Sequence, residues 1–240
     1  MKNLGLRKKV CLSIFGIIGI SSVSAQDVSV DVGADVVSSY VWRGFSASGA
    51  SVQPSLSLAA GDFSLGAWGS TDISTFGYKE VDFTASYVVK GVKVAVTDYW
   101  WGDVDGDSYN YFGKTRGHAS HSFEGTLAYT LPESFPLTLS WNTFFAGKYD
   151  LGSDDKATYS TYIEAAYPFK VGGVDMSASV GVIPWTSAVY GTDGFEFASI
   201  QIGASKEIKI TDSYSLPVFG SVIASPAADD IHFVFGIKLF

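Results

Sequence analysis

Sulfur is scarce in this chain, and basic charge is short against acidic charge. It has one cysteine, Cys11, in 240 residues, which excludes a disulfide scaffold and a thiolate metal cluster. Lys and Arg number 16 against 24 Asp and Glu, a net charge of −8, so the basic stripe that a nucleic-acid binder needs is missing. Charged residues make up only 17% of the chain, where an average soluble domain carries about a quarter. Beyond the first 25 residues no stretch approaches 18 consecutive apolar residues, so no helix is expected to span a bilayer. Hydrophobic residues reach 47%, aromatics 15%, and there are 26 glycines. That mixture favours strands and turns and excludes a disordered chain.

The opening residues read as an address. Lys2, Arg7, Lys8 and Lys9 precede the apolar run Val10 to Ile20, and small residues follow up to Ala25. This is the pattern of a secretory signal peptide cleaved after Ala25. The apolar run, about 11 residues, is too short for a spanning helix, which needs about 20. Cleavage would leave one domain, 26–240, with no cysteine and with 12 Lys and Arg against 24 Asp and Glu, a net charge of −12. If such a chain enters a membrane, it must do so as a closed β-barrel.

Twelve segments of alternating character follow, near 28–42, 52–60, 63–71, 79–89, 92–101, 120–130, 137–145, 157–167, 174–183, 195–206, 215–224 and 231–240. Val81, Phe83, Ala85 and Tyr87 alternate with Glu80, Asp82, Thr84 and Ser86; Val174, Met176, Ala178, Val180 and Val182 alternate with Asp175, Ser177, Ser179 and Gly181. Period two with one apolar face marks half-buried strands. The even-numbered links are tight: Gly61-Asp62, Lys90-Gly91, Pro132 to Pro136 and Val171-Gly172-Gly173. The odd-numbered links, 43–51, 72–78, 102–119, 146–156 and 184–194, are longer, while 207–214 and 225–230 depart from the rule. Short turns on one rim, long loops on the other and an even strand count predict an all-β, antiparallel up-and-down transmembrane barrel of about 12 strands.

The aromatics are expected to form two girdles. Tyr40, Trp42, Trp68, Trp100, Trp101 and Trp185 fall near the long-loop ends, and Phe63, Tyr87, Tyr129, Tyr167 and Phe169 near the short-turn ends. Rings gather at both interfaces of a membrane barrel. A soluble sandwich or lipocalin-like barrel would bury them in a core instead. The last strand carries an apolar face, Ile231, Phe233, Phe235, Ile237 and Leu239, and the chain ends on Phe240, which is out of phase with it; Lys238 holds a position where an aromatic is usual.

Asp35-Val36-Val37-Ser38-Ser39-Tyr40-Val41-Trp42-Arg43-Gly44-Phe45-Ser46 resembles the opening motif of the TorF family, bacterial outer-membrane porin-like proteins. The strand from Pro54 to Ala60, Gly66-Ala67-Trp68-Gly69-Ser70, Glu80-Val81-Asp82-Phe83, Phe123-Glu124-Gly125 and Thr161 to Pro168 resemble its later strands. The resemblance implies an outer-membrane barrel with a pore role and names no substrate.

If the polar phase faces the lumen, Asp82, Glu124 and Glu164 lie at mid-strand and Glu80 nearer the outer rim, against few bases: Lys93 and Lys238 near the periplasmic end and Arg43 just past the first strand. Such a field attracts cations. Eight-stranded barrels are filled by side chains and barrels of 16–18 strands are open; twelve lies between. Asp103-Val104-Asp105-Gly106-Asp107 imitates a calcium loop, but Ser108 and Lys114 stand where that loop needs Gly and Glu. No metal or cofactor is expected. Tyr109, Tyr111 and Phe112, with Trp100 and Trp101, offer stacking surfaces for a flat ligand. His118, Ser120, His121 and His232 are the material for a nucleophile and base, yet no Gly-x-Ser-x-Gly elbow or His-Glu-x-x-His helix appears.

The sequence thus predicts a non-enzymatic porin admitting small, neutral or cationic solutes by passive diffusion. Its expected partners are outer-membrane lipid and the barrel assembly machinery. The alternative is a non-conducting structural, adhesion or ligand-binding barrel acting through its extracellular loops.

Overall fold

The computed structural model describes residues 28–102, 111–112 and 121–240. The segment expected to be a leader, the Asp103 to Asp107 loop, Tyr109, His118 and Ser120 lie outside them. The strands in chain order are β1 (Val28–Val37), β2 (Tyr40–Trp42), β3 (Phe45–Ser48), β4 (Ser51–Ala60), β5 (Phe63–Asp72), β6 (Lys79–Val89), β7 (Val92–Gly102), β8 (His121–Thr130), β9 (Thr138–Gly147), β10 (Thr161–Val171), β11 (Val174–Ile183), β12 (Glu196–Lys209), β13 (Ser215–Ser225) and β14 (Asp230–Lys238). Twelve of them form one closed antiparallel barrel, β1 pairing with both β4 and β14, while β2 and β3 make a separate hairpin. The barrel strands run from 9 to 14 residues, enough to cross a hydrocarbon layer when tilted by about 45°.

Sequence phase decides which way each side chain points. Direct cross-strand partners share a face, so the ladder Trp68–Asp82–Tyr99 and the ladder Ser70–Glu80–Trp101 look inward. Most Val, Leu and Phe of the strands look outward: Phe233 and Phe235 are 62% and 66% exposed. Toward the short-turn end the lumen is lined by hydroxyls that bond across strands, Ser64 to Ser86 at 2.7 Å, Thr84 to Thr97 at 2.9 Å and Thr130 to Thr138 at 3.0 Å. The barrel is therefore inside-out relative to a soluble one, with an apolar outer surface of a size that soluble monomers avoid.

Three expectations change. The first predicted segment, 28–42, is not one strand, because the chain leaves the wall after Val37 and folds inward. The link 207–214 shortens, because β12 continues to Lys209 and a tight turn over 210–214 joins it to β13. The third concerns four aromatics assigned to the outer girdle. Trp68 and Trp101 belong to the inward phase, and Tyr40 and Trp42 lie on the in-folded hairpin. Proximity to a strand end had suggested the girdle, but phase overrides it. Tyr87 and Tyr129 do face outward, as does Tyr167 beside Phe135, and Trp185 packs beside the outward Trp141 at 5.9 Å. Trp100 is on the outer side but buried, its ring 5.3 Å from that of Tyr111.

Two glycines are small because a ring needs their space. A Cβ at Gly181 would overlap the Tyr162 hydroxyl, and one at Gly236 would overlap the Phe219 ring.

The outward and inward phases predict opposite tolerance at neighbouring positions. Leu56→Arg places a cation on the outer face and should cost about 2–4 kcal/mol in lipid. Ser57→Arg, which faces the lumen beside Gly66, should cost less than about 1 kcal/mol. Denaturant titration of the folded barrel in lipid vesicles, read by tryptophan fluorescence, measures both.

Candidate functional site: a hairpin across the lumen

The sharpest local feature begins where β1 ends. Trp42 and Phe45 are direct partners, so Arg43 and Gly44 form a two-residue turn, with φ of 52° and 93°. Two successive positive φ values are the geometry of a tight primed hairpin turn, which twists with its strands. Gly44 has no alternative: a Cβ there would overlap the Ala198 carbonyl. The turn is thus pressed against β12, and His232 on β14 donates from Nε2 to the Gly44 carbonyl at 3.0 Å.

From the same turn Arg43 reaches the opposite wall. Its guanidinium donates to Glu124 Oε1 at 2.6 Å and Oε2 at 2.9 Å, and to the Tyr190 hydroxyl at 2.5 Å. Glu124 Oε2 also accepts from the Tyr99 hydroxyl at 3.0 Å. The Arg43 carbon centre sits over the rings of Trp42 at 4.6 Å and Tyr162 at 4.8 Å. Bidentate Arg–carboxylate pairing fixes direction as well as charge, and both side chains are almost completely buried. The hairpin therefore braces the barrel from β12 and β14 on one side to β8 on the other.

Aromatics fill the space around this strut. Trp42 stacks on Tyr190 at 5.5 Å and meets Tyr99, Trp101 and Phe144 edge-on at 5.8, 6.0 and 6.4 Å. Tyr190 arrives on the in-folded loop 184–194, held by Ser187, whose Oγ donates to Ser160 Oγ at 2.7 Å and accepts from the Tyr190 N–H at 3.1 Å. Burial pushes the Tyr190 phenol above its ordinary pKa, with Arg43 working the other way. The hydroxyl thus keeps its proton while its oxygen accepts from Arg43. On the hairpin stem, Tyr40 packs on Trp68 at 5.4 Å.

The predicted lumen residues divide into distinct environments. Glu124 and Arg43 come together. Glu80 accepts from the Trp101 indole at 2.7 Å and the Tyr78 hydroxyl at 2.7 Å. Asp82 is buried two residues away, and its Oδ1 has no hydrogen-bond partner among the described residues. Glu164 accepts from Tyr162 at 2.9 Å. Lys93 is half-buried on the inward phase of β7, and Lys238 is directly opposite Asp35 at the β1–β14 junction. Only Arg43 among these bases reaches the acidic centre, so one of the expected mid-strand charges, Glu124, is neutralised. His121 and His232 do not meet: His121 bonds Asp98 at 2.8 Å on β7, while His232 holds the hairpin. Among the described residues no group of three or more His, Cys, Asp and Glu is placed to hold a metal.

Tyr99, Phe144, Tyr162 and Tyr190 were missing from the expected site. Tyr99 could have been found, because it shares the lumenal phase of Lys93, Ala95 and Thr97. Tyr190 carries no local signal, since a loop has no phase to read.

Residues 51–149 match the model of a family described as "Putative MetA-pathway of phenol degradation", a family of outer-membrane barrel proteins. The matched stretch runs from β4 through β9 and contains Glu80, Asp82, Tyr99, Trp101, Glu124 and Phe144, while the hairpin precedes it. No curated protein matches the chain significantly.

Breaking one side of the strut should be costly and removing both sides mild. Arg43→Met or Glu124→Leu alone should destabilise the barrel by about 3–5 kcal/mol, because each leaves a buried charge unpaired. The double variant should recover most of that loss, which a double-mutant cycle of denaturant midpoints measures.

Proposed function

We propose that the protein is an outer-membrane diffusion channel of porin type, exported with a leader cleaved after Ala25 and gated by its own hairpin. The observation that carries this reading is the Arg43–Glu124 strut. It holds a folded segment across a lumen whose remaining wall is small and hydroxyl-bearing. A barrel evolved only as a scaffold would have no need for a polar interior behind a braced obstruction. The TorF-like opening motif coincides with the strut, which supports placing the chain among such porins. The solutes are small, neutral or cationic: Glu80, Asp82 and Glu164 place carboxyl groups in the lumen, while the guanidinium of Arg43 is committed to Glu124. Transport is passive, with no cofactor and no bond chemistry. Outer-membrane lipid surrounds the barrel, and the barrel assembly machinery inserts it.

One observation favours a non-conducting barrel: the hairpin and loop 184–194 together occupy the long-loop end of the lumen. Single-channel recording in planar bilayers under a salt gradient separates the two readings. The native protein should open rarely, with cation-selective reversal, and Arg43→Ala or Glu124→Gln should raise the open probability severalfold. Asp82→Asn should shift the reversal potential towards zero. A folded barrel that stays silent in the native form and in both strut variants would overturn the channel reading.

A further inference from the structure

The wall of the barrel is uneven. Neighbouring strands are joined by ladders of six to eleven paired residues everywhere except between β1 and β14. That junction has three pairs, Asp35 with Lys238, Val36 with Ile237 and Val37 with Gly236. It is flanked by the Leu239 N–H donating to the Ala34 carbonyl and the Ser38 N–H donating to the Phe235 carbonyl. On one side of it β1 turns away into the hairpin; on the other Val28 to Gly33 extend along β4, beyond the last residue of β14, Lys238.

Past the charged Asp35–Lys238 pair, toward the long-loop end, the junction is apolar on both faces. Inside, Val37, Ile223 and Val234 form a buried cluster with Val41 and Phe219, separate from the clusters centred on Tyr162 and on Tyr99. Outside, a trough of about 670 Å³ crosses the junction, flanked by the row Lys206–Val218–Ile237–Val36 and the row Ala204–Gly220–Phe235. Two glycines stand in this part of the wall, Gly236 beneath the Phe219 ring on the inside and Gly220 beside the Phe235 ring on the outside.

We propose that the β1–β14 junction is a lateral portal through which a small, uncharged, apolar solute passes between the lumen and the surrounding bilayer. Its short ladder is the part of the wall that opens with the smallest loss of hydrogen bonds. The apolar surface continues through the wall at this junction, so such a solute need not re-enter water as it leaves. Val41, on the hairpin stem, lines the inner side and ties the portal to the strut. This route shares with the channel reading the placement in a membrane, and it does not require ionic conductance.

A disulfide across the junction tests it. Val36 and Ile237 are direct antiparallel partners, a spacing of about 4.5–5.5 Å between Cα atoms that suits a disulfide. Cells with an intact outer membrane, expressing either the native barrel or Val36→Cys/Ile237→Cys, are exposed to N-phenyl-1-naphthylamine, which fluoresces on entering lipid. The native protein should speed uptake severalfold over an empty vector. The oxidised double variant should fall to the vector rate, and a reductant should restore it. Ion currents in planar bilayers should be equal in the oxidised and reduced forms, so a silent channel and a failed portal are distinguishable. Ala204→Trp, which fills the trough without touching the ladder, should slow uptake as well, and covers the case in which the double variant does not fold. Equal uptake by the oxidised and reduced forms, native uptake no faster than the vector's, or undiminished uptake by the trough variant would overturn the portal.

Discussion

Two opposite charges removed from water set the terms for the rest of the molecule. Neither Arg43 nor Glu124 is tolerable alone in so buried a position, since the desolvation of each is only offset by the other. Their meeting requires β1 to stop at Val37, a turn with two positive φ values, and a glycine at 44 so that the turn can press on Ala198. It also requires donors for the second oxygen of Glu124, which Tyr99 supplies, and a further acceptor for the guanidinium, which Tyr190 supplies. The aromatic packing then follows as the dry surrounding that makes the pair strong.

The barrel and the strut answer different physical demands. The wall needs only alternation: apolar outward, small and polar inward, with ladders that satisfy each backbone group internally. The interior braced by Arg43 behaves instead like a soluble core, with stacked rings and buried hydrogen bonds. A membrane wall thus encloses a water-type core at the long-loop end, and a hydroxyl-lined lumen at the other. The acids on β6 sit at the boundary between these regions, Glu80 with a donor on each oxygen and Asp82 with one oxygen unmatched among the described residues.

The wall was legible because period two is a local signal that every strand repeats. Strand number, antiparallel order and the alternation of Glu80, Asp82, Thr84 and Ser86 against Val81, Phe83, Ala85 and Tyr87 could all be read directly. The site was legible only in fragments. Asp82, Glu124, Glu164 and Arg43 were visible as charges out of place, but the partnership of Arg43 with Glu124 spans 81 positions and has no periodic trace. The aromatics misled because a ring near a strand end fits both a girdle and a plug. Trp68 and Trp101 show that phase, not height, separates the two. The break after Val37 was hidden because Tyr40 and Trp42 continue a β-favouring composition through a bend that needs only two serines.

The glycines beneath rings have a consequence for how this sequence can drift. Gly181 is small on behalf of Tyr162, and Gly236 on behalf of Phe219. In each case the vacancy belongs to one residue and its use to another, on a neighbouring strand. A side chain gained at either glycine is admissible only after its ring has shrunk, and a shrunken ring leaves a hole that a new side chain can fill. Such positions are inherited as pairs: the order of the two changes matters, and the barrel's history is constrained to pass through the looser intermediate, not the clashing one.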